Sequence, residues 1–348
     1  MIFFGVIANA VSAAGAGSSY ILVSATASPY VRAYPWSDAT GFGTAFANPS
    51  SGLAGESTSA TFTTQGDAVV AGHSNTPYVG AYAWGASGFG TKFSNPASVP
   101  AGKGRGVAIT SADDAVVVPH DTSPYVSAYP WSGSGFGTKF SDPGTVPAGN
   151  GYSTDFTSAG DDVLVGHLTS PFITAYPWSG SGFGTKYSNP GSALAGSGIG
   201  SAFSTGDDAV AVGHPNSPYV SAYPWSGSGF GTKFSNPATL PPSTGRGVAF
   251  TSSDDALAVS HLNSPFITTY AWSGSGFGTK FSDPGTLPGT TGLGVSFSLN
   301  DVSIAVATNS TPGIQAYPWS SSGYGTIFSN PATLPPSSSA NSASFSQI

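Results

Sequence analysis

The chain has 348 residues, of which only 7% are charged, against about 25% in an ordinary soluble domain. Nine basic and sixteen acidic residues give a net charge of −7, which leaves no basic surface for nucleic acid or anionic lipid, and the absence of cysteine excludes disulfides and thiolate sites. Hydrophobic residues at 39% and aromatics at 13% supply a core despite 48 glycines and 28 prolines, and no apolar run reaches the ~18 residues that span a bilayer.

In chain order, residues 1–17 come first: an apolar stretch that includes Ile2, Phe3 and Phe4, followed by small residues. It has the middle and tail of a signal peptide without the basic start, so it reads either as a docking arm or as a signal-like leader. From residue 18 to 348 the chain repeats itself. Trp36, Trp84, Trp131, Trp178, Trp225, Trp272 and Trp319 are its seven tryptophans, spaced by 48 residues once and by 47 thereafter. Seven units follow, with no linker between them. The block Pro-Trp-Ser-Gly-Ser-Gly-Phe-Gly-Thr-Lys is identical at 130–139, 177–186 and 224–233.

The unit from Gly247 to Leu287 predicts four short strands: Val248 to Thr251, Leu257 to His261, Phe266 to Trp272 and Phe277 to Phe281. Asp254-Asp255, Asn263-Ser-Pro265 and Ser273-Gly-Ser-Gly276 are the intervening turns. Four strands per unit, seven copies and no helical periodicity predict an all-β chain, a seven-bladed β-propeller of four-stranded antiparallel blades. The Trp stripe is then interblade packing. Pro35, Pro130, Pro177, Pro224 and Pro318 fall inside the third strand and predict a bulge or an early end to its ladder, while Ala83 and Ala271 show that proline is not obligatory. By phase, the second to fourth strands of the first blade begin at Tyr20. The C-terminal Ala343 to Ser346 therefore completes that blade in the innermost slot.

The stretch Val248 to Trp272 (VAFTSSDDALAVSHLNSPFITTYAW) resembles a WD40 repeat, with an apolar-Ala-Phe strand, an Asp-containing turn, a Leu-Ala-x-Ser strand and a strand ending in Trp. Ser273 stands where that family usually has Asp, and no Gly-His pair precedes the first strand, so the family's hydrogen-bond network is expected to be missing. The Gly- and Ser-rich repeats around AYPWSGSGFGTKFSNP also resemble propellers among tailed-bacteriophage structural proteins.

His73, His120, His167, His214 and His261 each end the second strand of their unit, so they form a ring on one rim. Neighbouring blades lie about 10 Å apart, too far for metal–nitrogen bonds of about 2.0–2.1 Å to converge, and imidazoles bonded to the following turn are expected rather than a metal or cofactor site. The rim was nevertheless the favoured ligand or partner face, with Pro241 and Pro335 in stiff loops at 236–242 and 330–336. The acidic pairs Asp113-Asp114, Asp161-Asp162, Asp207-Asp208 and Asp254-Asp255 lack calcium-loop spacing and read as turn caps on the opposite rim. Lys139 and its equivalents follow Thr in a strand, unlike a phosphate loop, and read as edge protection. The residues that break the repeat are Arg32, Asp38, Glu56, Lys103, Arg105, Asp121, Asp155 and Arg246, and in the sequence they form no recognisable set.

Sevenfold redundancy with few unique polar residues leads to an expectation of a non-enzymatic protein. It would be a phage virion component, or extracellular, binding a virion protein or a host receptor or glycan through a propeller face. A secreted carbohydrate-binding propeller is the alternative. No catalytic residue and no cofactor are expected.

Overall fold

The computed structural model describes residues 19–346, so the expected arm with Ile2, Phe3 and Phe4 lies outside the described residues. Seven four-stranded antiparallel sheets form a ring. In blade 6 the strands are Gly245–Phe250, Ala256–His261, Ile267–Ser273 and Gly276–Lys280, close to the predicted ones. The second strands read as unbroken apolar runs because each is covered on both sides by a neighbouring blade. Successive side chains divide between the two interfaces. In Ala209–Gly213, Ala209 and Ala211 join Val248, Phe250 and Trp272 of blade 6, whereas Val210 and Val212 join Leu164, Ile173 and Ala175 of blade 4.

The seven tryptophans are only 5–6% exposed and occupy those interfaces as expected. Trp225 meets Phe203 and Phe230 of its own blade and Tyr187 of the preceding blade edge-to-face, at 5.0–5.2 Å between ring centres. Edge-to-face contact places a positive ring edge on a negative ring face, and about 0.5–1.5 kcal/mol per pair is added to simple burial.

The third-strand prolines end the ladder as predicted. In blade 3 the fourth strand is only Gly135–Phe136, pairing with Ser132 and Trp131 before Pro130 intervenes. Where Ala83 and Ala271 replace proline, the fourth strands Gly88–Lys92 and Gly276–Lys280 run for 5 residues and pairing resumes past a bulge. Gly137 is required opposite Pro130, since an added Cβ there would lie 3.0 Å from the proline Cβ.

The ring closes with Ala340–Phe345, which pairs antiparallel with Ser19–Ala25 and packs between the inner strands of blades 7 and 2. The acidic turns do more than cap themselves. Asp67, Asp114, Asp161, Asp208 and Asp255 accept the hydroxyl of the Thr or Ser four residues earlier. Asp113, Asp207, Asp254 and Asp301, with φ of 53–55°, instead reach the preceding blade and accept two of its turn N–H groups. The turns therefore clasp blade to blade, a role that counting turn caps in the sequence did not reveal.

Candidate functional site at the channel mouth

The inner strands begin on the histidine rim, since Ser57, Gly151 and Gly245 pair with His73, His167 and His261. Just beyond this start the register slips in each of these strands, and a bulge of this kind re-aims a side chain. The seven blades place Thr58, Arg105, Tyr152, Ile199, Arg246, Leu293 and, on the closing strand, Asn341 at this one position. In a chain of near-copies, this column hardly repeats.

Three of these side chains converge. The Arg105 guanidinium of blade 3 lies over the Tyr152 ring of blade 4, 4.8 Å from its centre. Arg246 belongs to blade 6, yet it feels the Tyr152 phenol with all of blade 5 between their strands, so the two meet over the channel and not along a blade interface. Burial pulls the Arg246 guanidinium below its usual value, and the phenol opposes that shift.

Asp121, from the turn after His120, holds Arg105 through an Nη2–Oδ2 ion pair of 3.3 Å. Its other oxygen accepts the Lys103 backbone N–H at 3.0 Å. Across the mouth, Asn341 donates from Nδ2 to Glu56 Oε1 and to the Ser57 carbonyl, both at 2.9 Å. One mouth thus carries two guanidiniums, a phenol, an amide and two carboxylates. The departures Glu56, Lys103, Arg105, Asp121 and Arg246 do form a set, contrary to the sequence reading, and Tyr152 and Asn341 complete it. Stacking the seven inner-strand starts in one column would have found them.

The other departures lie elsewhere. Asp38 is on the opposite rim, accepting from Trp36 Nε1, Asn300 and Ser303 of the adjoining blades. Asp155 is fully buried, accepts the Phe203 N–H at 2.9 Å and leaves Oδ1 without a partner; burial raises its carboxyl well above the usual range.

The five histidines are completely buried, and burial pulls each down to about 4. In four blades Nε2 shares a hydrogen bond of 2.9–3.0 Å with a hydroxyl on the next strand, at Ser127, Thr174, Ser221 and Thr268. Blade 2 has Gly80 at that position, and both His73 nitrogens are unpartnered. Where the histidine is missing, the opposite residue lengthens: Ala25 faces Arg32 and Thr308 faces Gln315. This exchange of volume marks the position as a polar plug of the blade interface. Pro241 and Pro335 are buried as well, so neither they nor the imidazoles present a surface to a partner. No cluster of three or more potential metal ligands occurs among the described residues.

No family model matches the chain, and no curated protein does. Solved structures do match its fold. A putative 6-phosphogluconolactonase from Bacteroides uniformis is similar with a TM-score of 0.73 at 14% identity, covering 94% of this chain and 99% of its own. The periplasmic gluconolactonase of Pseudomonas aeruginosa gives a TM-score of 0.71 at 13% identity over 94% and 99%. A protein from Lactobacillus plantarum gives 0.72 at 14% identity over the same shares. At this identity the likeness establishes the seven-bladed ring. It also overturns the reasoning that led to a non-enzymatic virion or lectin-like protein: two of these three rings are named for lactone hydrolysis and none for a virion, so this architecture does not argue against catalysis. The convergent mouth removes the other premise, that no unique polar set exists. Among the described residues no helix is long and apolar enough to cross a membrane.

Proposed function

We propose that this chain is a hydrolase-type propeller that opens a lactone ring at the mouth on the histidine rim. The observation that carries the reading is that the residues breaking the repeat, Glu56, Arg105, Asp121, Tyr152, Arg246 and Asn341, gather at one end of one channel. The lactonase names of two structures with the same ring supply the reaction class.

In this reaction water adds to the lactone carbonyl carbon, the ring C–O bond breaks, and the water proton ends on the freed hydroxyl, leaving a hydroxy acid. Glu56, oriented by the Asn341 amide, is the base that takes the water proton and returns it to the leaving oxygen. Arg105, fixed by Asp121 and by the face of Tyr152, is the preorganised charge for the oxyanion that develops on the carbonyl.

The test is proton release from glucono-1,5-lactone in a pH-stat. The wild-type chain is expected to exceed spontaneous opening, and Arg105→Met and Glu56→Gln to lower kcat by about 100-fold or more, the usual cost of one preorganised donor or base, with unchanged far-UV circular dichroism. A wild-type rate equal to the spontaneous one, with this lactone and with its 6-phosphate, rejects the proposal.

A further inference from the structure

We infer that Arg246 is the seat for a permanent anionic group, a carboxylate or phosphate, on a small polyhydroxylated ligand lying across Tyr152. The inference deepens the channel-mouth reading and rests on it.

The two arginines at the mouth are not equivalent. Arg105 has its carboxylate, Asp121, and an aromatic face beneath it. Arg246 has neither. It makes no ion pair among the described residues, and its Nε is buried with no acceptor. The polar groups that neighbour it in the column cannot serve, since Ile199 and Leu293 stand on either side. An arginine remains charged throughout the physiological range, and a charge removed from water without a partner is costly enough that proteins pair it.

The missing partner is therefore a ligand anion, which guanidinium binds with two parallel N–H···O bonds. The apolar Ile199 and Leu293 flanks raise the strength of that pair by excluding water. Tyr152, which Arg246 also feels, offers an aromatic face and a phenolic O–H to the hydroxylated remainder of the same ligand. On the far side Glu56 disfavours a second negative group, so a monoanion carried at one end is the fitting ligand.

The test uses stable acids, so that binding is read apart from turnover. Binding of gluconate, glucose 6-phosphate, glucose and inorganic phosphate to the full chain is measured by titration calorimetry. Gluconate or glucose 6-phosphate is expected to bind at least tenfold tighter than glucose, and their ranking separates a carboxylate from a phosphate source. Arg246→Met is expected to lose at least tenfold in that affinity and Arg246→Lys to retain part of it, with thermal unfolding as the check that each variant folds. Equal affinity for glucose and the two acids, or unchanged acid binding in Arg246→Met, overturns the inference. Binding of inorganic phosphate as tight as that of glucose 6-phosphate overturns the polyhydroxylated part. Arg246-dependent acid binding without lactone turnover refutes the hydrolase reading and leaves this seat standing, whereas turnover of the neutral lactone with no acid preference does the reverse.

Discussion

Acidification from pH 7.5 to 5.5 is the most revealing perturbation of this ring. Burial holds the five imidazoles at about 4, whereas in the unfolded chain they titrate near 6.5. Between these two values the unfolded chain binds protons that the folded one refuses, so stability is complete above about pH 6.5 and falls as the pH drops towards 4. At pH 5.5 each histidine costs about 1.4 kcal/mol and the five together about 7, comparable with the whole stability of many domains. Asp155 acts in the opposite sense, because its raised carboxyl gains a proton in the folded state first; the Asp155→Asn background removes it from the comparison. The assay is urea unfolding followed by the fluorescence of the buried tryptophans at pH 7.5, 6.5 and 5.5, with His214→Gln as the variant that should recover about a fifth of the loss. A free energy of unfolding that changes by less than about 1 kcal/mol over this range would refute the reading of the histidines as neutral interface plugs.

Two further predictions follow from burial and from the clasps. Asp155→Asn keeps an acceptor for the Phe203 N–H and removes a buried charge, so it should stabilise the ring by about 1–3 kcal/mol at pH 7.5 and have no effect near pH 4, where the aspartate is already neutral; a destabilised variant in urea at pH 7.5 would contradict this. Gly160 has the φ of +71° of the clasp position without the carboxylate, facing Ser111 of blade 3. Gly160→Asp should gain about 1 kcal/mol from two N–H bonds like those of Asp254, raising the thermal midpoint by about 2 °C in calorimetry, and a lowered midpoint counts against the clasp.

The ring was legible because its determinants are local and repeated: a Trp every 47 residues, a Pro that ends a ladder one step away, and strands whose alternate residues face different blades. Even the closing strand could be placed, because it is one phase of the same repeat. The site was not legible in this way. Arg105, Tyr152 and Arg246 are separated by whole blades in sequence and meet only because a one-residue bulge turns the same strand position towards the axis. The histidines misled in the opposite direction. Their spacing shows the ring of five, but whether an imidazole faces a ligand or a neighbouring sheet depends on the small or hydroxylated residue seven positions later, Gly80 or Ser127, which sequence inspection passes over.

The bond from Asn341 to Glu56 joins residues 285 positions apart, with one end on the strand that closes the ring. A growing polypeptide can stack most of its blades while still on the ribosome, yet it cannot assemble this pair until that last strand has emerged. Chains cut short during synthesis would carry both arginines and the phenol but lack the oriented carboxylate, so the molecule's chemistry is withheld from every incomplete copy.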